Sequence, residues 1–210
     1  MAILGFLIVS PALVHFIGWG RGGKLRRSDP QLKTAQLGAE AAAQRAMILA
    51  ATDQLNGKAN RRHFRDQFEV ELQAVEAASS AQAFILPDID HFKEINDTHG
   101  HPFGNEVLKA VADAADNCLR SKDLFGRFGG EEFAVLLPGV GIEAAGVLAE
   151  RIRVAVNRWS FAPELVGYIS ISLGVSTDEP AADSTWLIQA ADVALYEAKT
   201  SGRNCIRIAA

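Results

Sequence analysis

With 210 residues the chain has room for one domain of ordinary size plus an extension, and a second complete domain does not fit. Its formal charge of −4, from 21 Lys and Arg against 25 Asp and Glu, supplies no basic field for a long nucleic acid, so any phosphate-bearing partner has to be gripped locally. Cys118 and Cys205 have neither metal-ligand spacing nor a disulfide framework, which points to a reducing compartment and a core-filling role.

Residues 1–20 carry no Asp, Glu, Lys or Arg and are rich in Leu, Ile, Val and Phe, a run long enough to span a bilayer. Trp19 would sit at the membrane interface, and Arg21, Lys24, Arg26 and Arg27 follow, which by the positive-inside tendency places the remainder in the cytoplasm. No positive region precedes the run, which disfavours a signal peptide; Pro11 and His15 keep a buried or amphipathic terminal helix as the alternative to an anchor. Residues 21–52 form a basic juxtamembrane stretch and then, from Gln31 to Thr52, a proline-free Ala-, Gln-, Leu- and Glu-rich connector helix. Leu32, Ala35, Ala42, Met47 and Leu49 give it a loose apolar stripe through which two copies could pair.

From residue 53 to residue 210 the pattern is that of one domain. A helix is expected over Arg61 to Ala78, a strand over Gln82 to Ile89, a short helix from about His91, a helix over Asn105 to Arg120, and strands over Asp123 to Arg127 and Phe133 to Leu137. A helix over Ile142 to Arg158, a strand over Tyr168 to Val175, a helix over Ser184 to Thr200 and a strand over Cys205 to Ile208 complete it. Strands alternating with helices imply an α+β fold, one mixed central sheet flanked by helices.

Two acidic loops carry the chemistry. Asp88-Ile89-Asp90-His91-Phe92-Lys93 closes a hydrophobic strand, and Phe128-Gly129-Gly130-Glu131-Glu132-Phe133 joins two strands, with Gly129-Gly130 expected to supply the positive dihedrals of a tight turn. Carboxylates at a strand end and at a hairpin tip are what holds Mg²⁺ against a triphosphate with oxygen ligands. Asp88 and Asp90 could instead cap the helix that follows. The free amides of Phe92 and Lys93 would open that helix toward phosphate oxygens, and Lys93 could otherwise be an ordinary solvated lysine. Lys199 and Arg203 stand four apart and share a face if the helix continues through Gly202; basic residues there also complement a helix dipole.

These runs, with Asp53-Gln54-Leu55-Asn56-Gly57, Asn60-Arg61-Arg62, Ser172-Leu173-Gly174-Val175, Ala191-Asp192-Val193-Ala194-Leu195-Tyr196 and Gly202-Arg203-Asn204, resemble the GGDEF family of diguanylate cyclases in a Gly-Gly-Glu-Glu-Phe variant, from about Asp53 to Ile208. The resemblance implies a palm-like nucleotide cyclase architecture and the condensation of two GTP into cyclic di-GMP and two pyrophosphates, between two facing protomers of a homodimer. It implies Mg²⁺, with Mn²⁺ as a substitute, held by Asp88, the Ile89 carbonyl and Glu131, with Glu131 also taking the proton of the attacking hydroxyl and Lys93 stabilising the phosphoryl group. Phosphate contacts fall to the amides of Phe92 and Lys93 and to Lys199 and Arg203, and guanine contacts to Asn96, His101 and the position of Asn105. There the chain departs from the family, which carries an acid; an Asn amide offers guanine one acceptor oxygen instead of two. Arg120-Ser121-Lys122-Asp123 matches the family's product-inhibition site, where cyclic di-GMP would bind. The expected setting is a bacterial inner membrane with the catalytic domain cytoplasmic. A catalytically silent domain that binds GTP or cyclic di-GMP is the alternative, favoured by Asn105; a cyclase making a mononucleotide is disfavoured by the hairpin.

Overall fold

The computed structural model describes residues 30–78, 81–158, 169–177 and 184–209. The elements are α1 (Pro30–Ala51), α2 (Arg61–Ala78), β1 (Gln82–Ile89), α3 (Phe92–His99), α4 (His101–Asp116), β2 (Leu124–Arg127), β3 (Phe133–Pro138), α5 (Ile142–Asn157), β4 (Ile171–Thr177), α6 (Ser184–Thr200) and β5 (Ile206–Ile208). Chain contacts divide at Arg45 and Ala46. The first unit contributes most of α1, a continuous helix on which Leu37 is exposed. The apolar run of residues 1–20 lies outside the described residues, and among those described no helix is long and apolar enough to cross a membrane.

The second unit is built on a five-stranded sheet in the order β2-β3-β1-β4-β5, antiparallel except for β4 against β5. All eight positions of β1 are buried, which is why Ala83 to Leu86 reads as an unbroken apolar run. Alternate strand residues serve two cores. Ile85, Ile89, Val135, Leu137, Leu173 and Val175 pack with apolar residues of α4 and α5 on one face. Phe84, Leu86, Ala134 and Leu136 pack with Phe64 and Phe68 of α2 and with Leu187, Ala191 and Leu195 of α6 on the other. Asp88 has the parity of Phe84 and Leu86, so β1 delivers its carboxylate to the α6 side, at the end of the sheet's central strand.

The largest departures from expectation are at α4 and at the start of β4, while α6 has its expected bounds. α4 begins at His101 and ends at Asp116, where Asn105 and Arg120 were expected, because Gly100 (φ 83) separates it from α3 and Pro102 suits a first helical turn that lacks intrahelical acceptors. At its far end the amides of Cys118 and Leu119 turn back to Ala115 and Asp116. α6 stops at Thr200, and Gly202, Arg203 and Asn204 follow with φ of 108°, 62° and 45°, so Lys199 and Arg203 do not share a helical face. β4 starts at Ile171, two residues after the described segment resumes.

Candidate active site

The hairpin between β2 and β3 is closed by residue 132, whose carbonyl accepts from the amides of Phe128 (2.9 Å) and Gly129 (3.1 Å). Neither glycine has the left-handed φ expected of it. At Gly129 a Cβ would meet the Glu132 carboxylate as that side chain lies here, while Gly130 faces open space. The tip is then stitched to β1. The β1–β3 ladder runs from Gln82 to Ile85, lapses across Leu86 and Pro87, and resumes in the same register as a bridge between Asp88 and Glu132, with the Ile89 amide donating to the Glu131 carbonyl at 3.3 Å. Pro87, which has no N–H to give a central strand, sits in that lapse.

This brings Asp88, Ile89, Glu131 and Glu132 together. Asp88 is 3 % exposed and paired through Oδ2 with Lys199 Nζ at 2.9 Å. Burial raises its carboxyl from 3.8 to about 6, against the lowering effect of Lys199 and with further upward pushes from Glu131 and Glu132. Among the described residues no three His, Cys, Asp or Glu side chains are grouped so that they could hold a metal ion by themselves. The available donors are all oxygen, two carboxylates and backbone carbonyls at the meeting of strand end and hairpin, and the mutual repulsion on Asp88 is what a divalent cation relieves. The set suits Mg²⁺, which takes one or two carboxylates and completes its shell with water and phosphate.

Past Asp88 the chain does not use its acids as helix caps: the residue before α3 is His91, left-handed at φ 57 and without a side-chain cap bond, and the Asp90 carboxylate is engaged elsewhere. Phe92 is buried and Lys93 exposed, and their amides occupy the first two helical positions, which have no intrahelical acceptor. The Asn96 carboxamide packs on the backbone of Gly104, where a Cβ would overlap it. The early start of α4 puts His101 and Asn105, both exposed, four apart on its first turns, next to Gly104. Arg203 is exposed in the turn after α6.

Apart from these, Arg120 and Asp123 hold each other: Nε to Oδ1 at 3.0 Å, Nη2 to Oδ1 at 2.6 Å, and the Arg120 amide to Oδ2 at 2.8 Å. The Asp123 side chain is fully covered, and Arg120 keeps nearly half its surface. Three contacts carry no local sequence signal: Asp53 with Arg127, Asp90 with Asn204, and Lys199 with Asp88.

The site is thus an acidic strand end of a mixed sheet, an acidic hairpin beside it and a lysine arriving from α6. The diguanylate cyclase GGDEF-domain family model matches residues 50–205, and the chain belongs to that family. It is 42% identical over 160 residues to the probable diguanylate cyclase DgcT of Escherichia coli, covering 74% of this chain and 35% of that protein. The coiled-coil and GGDEF domain of DgcB from Caulobacter crescentus, solved in complex with c-di-GMP, superposes with a TM-score of 0.76 at 30% identity, covering 85% of this chain and 98% of that one. The active GGEEF domain of a diguanylate cyclase from Vibrio cholerae superposes with a TM-score of 0.69 at 34% identity over 72% of this chain and 97% of that one. The chain thus spans about a third of the length of the relative DgcT.

Proposed function

We propose that this chain is a diguanylate cyclase that joins two GTP into cyclic di-GMP and releases two pyrophosphates. The observation that carries the reading is the convergence, at one end of the sheet, of Asp88, the Glu131–Glu132 hairpin and Lys199. Each protomer would hold one GTP. The 3′-oxygen of one GTP attacks the α-phosphorus of the other, its proton passes to Glu131, and the bond to the β-phosphate breaks; the reciprocal step closes the ring. Since a 3′-hydroxyl cannot reach its own α-phosphate to form this product, the working unit is a homodimer, and positioning supplies much of the rate.

Asp88, Glu131 and the Ile89 carbonyl would hold Mg²⁺, or Mn²⁺ in its place. When bound it neutralises charge on the phosphates. Lys93 and the α3 amides would meet the same charge, and Lys199, paired with Asp88, would move toward the phosphates once a cation takes Asp88. Asn96, His101 and Asn105 would read guanine. Residues 1–20 would anchor the chain in the bacterial inner membrane with the domain in the cytoplasm, and α1 would pair with its copy; Met47, Ile48 and Leu49, all more than half exposed, are available for that.

The reading is tested by product identification after incubating the purified chain with GTP and Mg²⁺. A second reading, a silent module that binds GTP or cyclic di-GMP, draws on the Asn at position 105 and on the intact Arg120–Asp123 pair.

A further inference from the structure

We infer that Asp90, the second acid of the Asp-Ile-Asp run, is a positioning residue that fixes the turn following α6, which carries Arg203 just past Lys199, at the phosphate end of the site, and that it is not a metal ligand. The inference rests on the cyclase reading for the identity of the phosphates.

The Asp90 side chain is 3 % exposed and its oxygens are already engaged. Oδ1 accepts from Ser172 Oγ at 2.6 Å, and Oδ2 accepts from Ser170 Oγ at 2.6 Å and from the Asn204 amide at 3.0 Å. Its own amide donates to the Ser170 carbonyl at 2.9 Å. Three of a carboxylate's roughly four acceptor positions are thus filled by protein donors, so a cation bound across both oxygens would displace at least one of them. Asp88, two residues away, has a lysine as its partner and two glutamates beside it. The two acids therefore divide the work: Asp88 faces the charged site, and Asp90 faces the protein.

What Asp90 holds is a turn that does not hold itself. Arg203 and Asn204 are consecutive non-glycine residues in the left-handed region, directly after Gly202 at φ 108. Such residues persist where surrounding contacts over-determine them. The Arg203 amide is tied to Ala198 (3.1 Å), Asn204 Oδ1 accepts from Arg153 Nη1 (2.6 Å), and Asp90 takes the Asn204 amide. Of these, the Asp90 bond runs to the strand end that bears Asp88 and Ile89, 114 positions away in sequence. It joins the acidic and the basic halves of the site through one buried carboxylate.

The test uses the whole chain with Asp90→Asn, Asp90→Ala and Ser172→Ala, and reads hydrogen exchange at the amides of residues 202–205 and equilibrium binding of 3′-deoxy-GTP and of GMP across a Mg²⁺ series. Asn can keep an oxygen for the Asn204 amide and donate its own N–H to a serine hydroxyl, so Asp90→Asn is expected to retain exchange protection and to bind both nucleotides within about threefold of the unaltered chain. Asp90→Ala is expected to speed exchange and to weaken 3′-deoxy-GTP by about tenfold or more, with GMP, which lacks the outer phosphates, unchanged. Ser172→Ala, the milder variant should Asp90→Ala fail to fold, is expected to act in the same direction by a smaller factor. A tenfold shift of the Mg²⁺ midpoint in Asp90→Asn with exchange unaltered would overturn the inference in favour of ligation, as would equal losses of GMP and triphosphate binding in favour of a general packing role. These readouts precede turnover: a chain that binds nucleotide but makes no dinucleotide defeats the cyclase reading while leaving the clamp to be judged by exchange.

Discussion

Arg127 reaches across the domain to Asp53, Nη1 to Oδ2 at 3.2 Å, and with Nη2 donates to the Gly130 carbonyl at 2.6 Å. One guanidinium thus braces the acidic hairpin against the turn that follows α1. Asp53 is itself fixed, since Oδ1 accepts from the amides of Leu55 and Asn56, and Asn60 and Arg62 bind back to the Ala50 carbonyl at the end of the helix. Arg127→Ala is expected to destabilise the chain by about 1.5 to 3 kcal/mol, the range for charged hydrogen bonds, and to lower kcat well beyond the loss in folded protein. Thermal unfolding alongside steady-state rates checks this; a stability loss with unchanged kcat would show that the brace does not aim the hairpin.

The Asp88 carboxyl, raised by burial to about 6, sets a pH dependence. A group that binds its proton more tightly when folded adds most stability below its unfolded value of 3.8 and loses that contribution as pH rises to about 6. The shift corresponds to roughly 3 kcal/mol. Asp88→Asn abolishes ionisation there, so the stability of the unaltered chain relative to this variant should fall between pH 4 and 6 and level off above. Unfolding curves of both chains across that window are the check. The same proton competes with a cation, so divalent binding should weaken below about pH 6 and release protons.

Much of the sheet was legible because β1, β3 and β4 are buried on both faces and read as short apolar runs, and α2, β1 and α6 fall where periodicity places them. The early start of α4 was missed because His101, Pro102 and Gly104 have poor helix propensity, although Pro in a first turn is the signal that could have found it. The glycine pair does lie at the hairpin, but not through positive φ; instead the Glu132 carboxylate lies over Gly129, a contact no local pattern encodes. Likewise the partners of Asp53, Asp88 and Asp90 lie 74 to 114 positions away in sequence, so an acid that looks like a helix cap in sequence becomes a buried clamp in the fold.

At the base-reading end, Asn105→Asp restores a second acceptor for guanine. A charged hydrogen bond of about 1.5 to 3 kcal/mol predicts a KM for GTP lower by roughly tenfold or more, with discrimination against ATP increased. Parallel kinetics with both nucleotides measure it, and an unchanged KM would mean that Asn105 does not face the base.

The Arg120–Asp123 pair sits outside the reacting groups, so Arg120→Ala should leave initial rates near those of the unaltered chain and weaken inhibition by added cyclic di-GMP about tenfold or more, as expected when a bidentate cation is removed from an anionic ligand. Initial rates against added dinucleotide decide this; equal inhibition of both chains would place the product elsewhere.

The most direct test of the account is the product made from GTP and Mg²⁺ by the purified 210-residue chain over a range of protein concentrations, with Glu131→Ala and Asn105→Asp in parallel. The account predicts one cyclic di-GMP and two pyrophosphates from two GTP, a rate per chain that rises with protein concentration as dimers form, and no product from Glu131→Ala. GTP bound but no dinucleotide at any concentration, from either the unaltered chain or Asn105→Asp, would contradict it.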